Sequence, residues 1–166
     1  MKTGVTMFKH RPACIAVMAI LLLMLSACSH YPADPDKTLE KVTDGTIRVG
    51  VTENQKWVQL EDGTEPQGIE PDLLRDFASQ LNADVEWHQG SEHELVQDLK
   101  HDELDVVIGG IAGNTPWTTH AGLSRPYVET KDERGTTVQH VMLVPLGENA
   151  FLLRLDKFLQ AQEVRP

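Results

Sequence analysis

Hydrophobic and polar positions change period several times along the chain, and each change marks an element. Ile47-Arg48-Val49-Gly50-Val51 alternates with period two and is rich in β-branched residues, which predicts a strand. Thr52 to Ile69 is polar, with Glu61-Asp62-Gly63 and Pro66-Gln67-Gly68 as turn signals. From Pro71 to Asn82 the period becomes helical: Leu73, Leu74, Phe77, Ala78 and Leu81 form one apolar stripe. Pro71 suits the first turn, Asn82 a left-handed C-terminal cap, and Asp72 is expected to anchor the helix start.

The alternation repeats downstream. Asp84 to His88 predicts a second strand, and Ser91-Glu92-His93-Glu94 is a capping box opening a helix that ends near His101. Leu104 to Ile111 is a continuous apolar run with one Asp, the pattern of a buried parallel strand. Leu123 to Val128 and the segment around Val141-Met142-Leu143-Val144 predict further strands, with a charged loop over Thr130 to Gly135 between them. A last helix over Asn149 to Gln162 carries Phe151, Leu152, Leu155, Phe158 and Leu159, and a short one is expected near Thr38 to Val42. Strands alternating with helices of this length imply right-handed βαβ units and an α/β domain on a parallel sheet.

The N-terminus has another character. Lys2, Lys9 and Arg11 precede an apolar stretch from Ala13 to Leu25, and small residues follow, the layout of an export signal over residues 1–27. The apolar stretch is short for a bilayer span of about 20 residues. Leu25-Ser26-Ala27-Cys28 resembles the lipobox of bacterial lipoproteins, which implies acylation of Cys28 and a membrane anchor. Ser29 in place of Asp after the Cys favours, by the same resemblance, the outer over the inner membrane. Residues 28–36 hold two prolines and no apolar period and are expected to be a tether, leaving one domain over residues 37–166.

Charge narrows the function. The chain has 15 basic and 25 acidic residues; loss of Lys2, Lys9 and Arg11 with the leader gives a mature net charge of −13. Such a surface repels phosphate backbones, so nucleic-acid partners are excluded, and it disfavours lying on anionic lipid without a tether. Cys14 leaves with the leader and Cys28 is capped, so no disulfide is expected.

The order of motifs resembles the amino-acid-type (family 3) extracellular solute-binding proteins of ABC transporters. The resemblance rests on Ile47 to Val51, Gly68-Ile69-Glu70-Pro71-Asp72-Leu73, Leu81 to Trp87, His101 to Gly110 and Ser124-Arg125-Pro126-Tyr127, with Val141 to Gln162 like the closing strand and helix. It implies one lobe of a type II periplasmic binding protein as a three-layer α/β fold. It also implies a small-molecule solute and a transporter permease as partners, and no cofactor. Two departures stand out. The second lobe, normally placed after the Pro-Tyr strand, is replaced by Glu129 to Gln139, too short to form one. The resemblance also implies a Thr or Ser and then an Arg that clamps the ligand carboxylate, but these places hold Ala112 and Trp117.

Ligands of open parallel sheets bind beyond the carboxyl ends of the strands. The candidate ligand-binding residues are therefore Glu53 and Trp57 after the first strand, and Gly110, Asn114, Thr115 and Trp117 after the third. Trp57 takes the place of the family's ligand-stacking aromatic, or packs beneath the long loop. Trp117 lines the same mouth, or covers surface bared by the missing lobe. Glu53 meets a cationic group or is a solvated charge; Asn114 and Thr115 touch ligand or form an ordinary turn. Gly109-Gly110-Ile111-Ala112-Gly113 lacks dinucleotide-binding spacing. His93 and His101 are spaced for a solvated helix face rather than a metal. No hydrolase motif or Cys nucleophile is present in the domain, so neither the dehydratase nor the lytic transglycosylase branch of the fold is expected to apply. Two functions remain: a membrane-anchored solute-binding lobe, or an interaction module that has lost solute capture and self-associates.

Overall fold

The computed structural model describes residues 33–165. The leader over 1–27, the proposed anchor Cys28 and residues 29–32 of the tether lie outside them. Among the described residues, no helix is long and apolar enough to cross a membrane.

The elements in chain order are α1 (Thr38–Val42), β1 (Thr46–Val51), α2 (Ile69–Gln80), β2 (Asp84–Gln89), α3 (Glu92–Lys100), β3 (Val106–Ile108), a 3-10 turn (Pro116–Thr119), β4 (Gly122–Leu123), β5 (Val128–Lys131), β6 (Thr137–His140), β7 (Leu143–Val144) and α4 (Asn149–Leu159). Five strands form a sheet in the order β2-β1-β3-β7-β4. β1 pairs in parallel with both β2 and β3, placing Ile47 beside Val85 and Val49 beside Val106. β7 is antiparallel to β3 through Val107 and Leu143, and β4 is antiparallel to β7. The sheet is therefore mixed at one edge, a feature that apolar runs alone cannot show.

Period-two alternation gives the sheet two covered faces. Ile47, Val49 and Val51 of β1 and Val106 and Ile108 of β3 point to the side of α2 and α4, where Leu74, Phe77, Phe151, Leu155 and Leu159 are buried. Val107 and Leu143 point the other way, to Leu95, Val96 and Leu99 of α3. Gly50 lies under α3: a Cβ there would stand 2.7 Å from Leu104 Cδ1 and 3.0 Å from Leu95 Cδ2. The three-layer α/β lobe expected from the sequence is thus the observed fold. Helix ends also follow their local chemistry. Ser91 and Glu94 complete a capping box at α3, and Asn82 takes the left-handed conformation after α2.

The single Asp of the apolar run belongs to a clamp. Arg48 Nε and Nη2 donate to Asp105 Oδ2 at 3.1 Å and Oδ1 at 2.7 Å, and Arg48 Nη1 donates to the Asp102 carbonyl at 2.6 Å. The Asp105 side chain is 4% exposed and also accepts the Arg48 amide. This forked pair fixes β1 against β3 at the entry to both strands.

Downstream of β3 the elements differ in extent from expectation. β3 stops at Ile108 because Gly109 and Gly110 turn the chain, with Gly110 at φ 68°. The strand expected over Leu123 to Val128 divides into β4 and β5 around Pro126, which has no N–H for a ladder. The loop expected over Thr130 to Gly135 is tighter than its charge implied. β5 and β6 form an antiparallel hairpin, and Asp132 Oδ1 accepts the Arg134 and Thr136 amides at 2.9 and 2.8 Å. Glu129 to Gln139 lies within this hairpin.

Removing one partner of the Arg48–Asp105 clamp leaves a buried charge uncompensated. Arg48→Met is expected to cost roughly 3 kcal/mol of unfolding free energy, read as a lower urea midpoint with an unchanged m-value. A loss below about 1 kcal/mol, the level of a surface ion pair, would show that the clamp does not hold the register.

Candidate functional site

The carboxyl ends of β1 and β3 meet at a buried carboxylate. Glu70, in the first turn of α2, is 0% exposed. Its Oε2 accepts the Gly109 amide at 2.8 Å and the Gly110 amide at 2.9 Å, and its Oε1 accepts the Tyr127 hydroxyl. α2 reaches this place because Gly68, at φ 119°, lets the chain pass the Trp57 carbonyl, to which a Cβ would approach within 2.6 Å. Burial drives the Glu70 carboxyl up to about 7, against the pull of its three donors. Burial and then the Glu70 charge push the Tyr127 hydroxyl upward as well.

A second layer of polar contacts surrounds the two glycines. Asn54 Nδ2 donates to the Gly109 carbonyl at 3.1 Å. His140 Nδ1 lies 3.1 Å from the Gly110 carbonyl, and His140 Nε2 lies 2.8 Å from Thr130 Oγ1. A carbonyl only accepts, so Nδ1 carries the proton and Nε2 accepts from the Thr130 hydroxyl. Desolvation, with Lys56 adding to it, holds the imidazole below its ordinary range and keeps this neutral form. The His140 ring packs on Trp57 with centroids 4.3 Å apart, and Tyr127 meets Trp57 edge-on at 6.1 Å. Among the described residues no cluster of His, Cys, Asp or Glu is arranged to hold a metal ion.

The candidates named from the sequence fall into separate surroundings. Trp57 is 2% exposed, in the core on the α2 side, so its ring is a packing surface rather than an open platform. Gly110 touches it: a Cβ at Gly110 would come within 2.1 Å of Trp57 Cδ1. Trp117 packs against the α3-side core, its Nε1 donating to Glu92 and its ring 5.6 Å from that of His93. Of the alternatives open for each tryptophan, packing is the one observed, and the sheet separates the clusters to which they belong. Glu53 is exposed on the loop after β1. Thr115 is buried with its hydroxyl unpartnered, while the neighbouring Asn114 is exposed.

Asn114 opens onto a groove of about 410 Å³, lined by Gly113, Asn114, Asp132 and Thr136 to Gln139. Its walls are fixed by backbone bonds between the loop after β3 and β6, such as Gly113 N to the Gln139 carbonyl at 2.7 Å. Asn54, Glu70, Tyr127 and His140 were absent from the sequence-derived set. For Glu70 a signal existed: an acid inside the Gly68 to Leu73 stretch, ahead of a helix whose apolar stripe it borders.

The raised Glu70 carboxyl has a definite linkage. The folded chain binds this proton more tightly than the unfolded chain, where the ordinary value is 4.5. Its contribution is therefore complete below about pH 4.5 and is lost as pH rises through about 7. Depressed His140 acts in the opposite sense, so the comparison of wild type with Glu70→Gln isolates Glu70. The amide can accept both glycine N–H groups and donate to Tyr127 while staying neutral. Glu70→Gln is expected to remove roughly 3 kcal/mol of pH-dependent stability loss, seen in urea midpoints at pH 5 and pH 8. Identical pH slopes in the two proteins would contradict this account.

Comparison with known proteins covers the same region. Residues 47–163 match the family model for bacterial extracellular solute-binding proteins, family 3. A probable histidine-binding protein of Campylobacter jejuni is 21% identical over 116 residues, 70% of this chain and 45% of the relative. Membrane-bound lytic murein transglycosylase F of Vibrio campbellii is 31% identical over 99 residues, 58% of this chain and 18% of that protein. The chain thus spans less than half the length of either curated relative. Among solved structures, the arginine-bound form of domain 1 from TmArgBP superposes with a TM-score of 0.65 at 18% identity, covering 74% of this chain and 98% of that one. From the matched span and the fold together, this chain belongs to the bacterial extracellular solute-binding proteins, family 3.

Proposed function

We propose that the chain is a single-lobe solute-binding protein, held on the periplasmic side of the outer membrane by acylation of Cys28. The observation that carries the solute-binding reading is the groove beside Asn114. It is open, lies beyond the carboxyl end of β3 where ligands of such sheets bind, and carries the Asp132 carboxylate and the Asn114 amide. Those groups suit a small cationic or amide-bearing solute. The Arg that would grip an α-carboxylate is replaced by Trp117, already engaged with Glu92. The arginine-bound single domain is a precedent for one lobe of this fold holding a solute. Delivery to a transporter permease is the corresponding partner role. Glu70 is assigned to structure rather than catalysis, because its three bonds all run to the chain itself. The likeness to a transglycosylase covers only 18% of that protein.

A second reading is an interaction module that has lost solute capture. The burial of Trp57 favours it, since the place of the family's stacking aromatic presents no free ring. A second copy would then supply the wall that a missing lobe leaves absent.

The readings separate in one titration of the full chain with arginine, histidine, lysine, glutamine and simple diamines. Solute binding predicts a melting temperature that rises with ligand concentration and is independent of protein concentration. Asp132→Asn should weaken the effect at least tenfold. Flat melting curves with every ligand, together with a concentration-dependent dimer in sedimentation, would reject the first reading in favour of the second.

A further inference from the structure

The described part of the tether is fastened to one pole of the lobe. The Asn149 and Ala150 amides at the start of α4 donate to the Ala33 carbonyl at 2.9 and 3.3 Å. Asp34 Oδ1 accepts the Phe151 amide at 3.2 Å and Oδ2 the Leu39 amide at 2.9 Å. In return, Glu148 accepts the Asp36 and Thr38 amides through separate oxygens, both at 2.9 Å. Ala33 to Asp36 is thus a strap bound to α1 and α4, each acid satisfying first-turn donors.

The pole follows from strand direction. β3 runs toward Gly109 and Gly110, and β7 runs antiparallel to it. Pro145 to Glu148, leaving β7, therefore lies opposite the mouth, and the strap is bound beside it. Leu146 in this turn is 63% exposed, the most exposed large hydrophobic side chain among the described residues. The adjacent Gly147 sits next to Pro35 of the strap, whose Cγ would be 3.9 Å from a Cβ placed there.

We infer that the pole formed by the strap and the Pro145-Leu146-Gly147 turn is apposed to the lipid surface, with the mouth and the Asn114 groove facing away from it. The inference rests on the reading of Cys28 as the acylated anchor. Four residues separate Cys28 from Ala33, so the five Cα-to-Cα steps span at most about 18 Å of extended chain. The bilayer therefore lies within that reach of the strap, and Leu146 is the apolar group this pole offers to it. A solute groove turned from the membrane is free to meet solute arriving from the periplasm.

The test uses the full chain after export, extracted and reconstituted in phosphatidylethanolamine–phosphatidylglycerol vesicles containing doxyl-labelled lipid. Cys28 is the only Cys after the leader, and acylation caps it, so the wild-type protein should take up no maleimide label. Leu146→Cys and Asn114→Cys, both at exposed positions, are labelled with a bimane maleimide. Quenching by doxyl lipid is expected to be several-fold stronger for L146C than for N114C. Wild-type protein that labels at Cys28 defeats the anchoring reading and the proposal with it. Unlabelled wild type with N114C quenched as strongly as L146C overturns the orientation alone.

Discussion

A carboxylate with no access to water, bonded on three sides by its own chain, organises one end of this lobe. Glu70 gathers the Gly109 and Gly110 amides from the end of β3 and the Tyr127 hydroxyl from the approach to β5. Without it, the buried Gly109 amide would have no acceptor, at a cost of about 1–3 kcal/mol, and the part-buried Gly110 amide would lose its partner. Its position ties α2, β3 and the hairpin approach into one unit. Trp57 and His140 close over the same two glycines, and Gly110 admits them because it has no side chain.

This hub also explains why the mouth differs from a simple picture of glycine amides waiting for a ligand. The amides of Gly109 and Gly110 are already used internally, and the aromatic after β1 is turned into the core. What remains open is displaced toward Asn114 and the β5–β6 hairpin. The β5–β6 hairpin can do this because two short strands and a turn close the chain at small entropic cost. The Asp132 side chain bonds the Arg134 and Thr136 amides and holds that turn.

The opposite end is organised by charge as well, but through pairing with helix ends and strand entries. Arg48 and Asp105 lock two parallel strands, while Asp34 and Glu148 hold the incoming chain against α1 and α4. Buried acids appear at both poles of a strongly acidic chain, each surrounded by amide or guanidinium donors. The remaining acidic residues are largely exposed and set the negative surface. The family 3 match runs over residues 47–163 and so takes in the βα frame between these poles.

Local pattern determined much of the protein. Periods of two and about 3.6 residues located β1, α2, β2, α3 and α4, because each element buries one stripe and the stripe is written at fixed spacing. Capping at Ser91 and Asn82 was legible for the same reason: those bonds close within a few residues. The ordered motifs then identified the lobe. Tertiary structure alone decided the antiparallel pairing of β7, the burial of Trp57, the separation of Trp57 from Trp117, and the gathering of Glu70, Tyr127 and His140. Each depends on contacts between segments far apart in the chain. A side chain's environment there is set by what folds over it, and neither residue type nor local spacing encodes that.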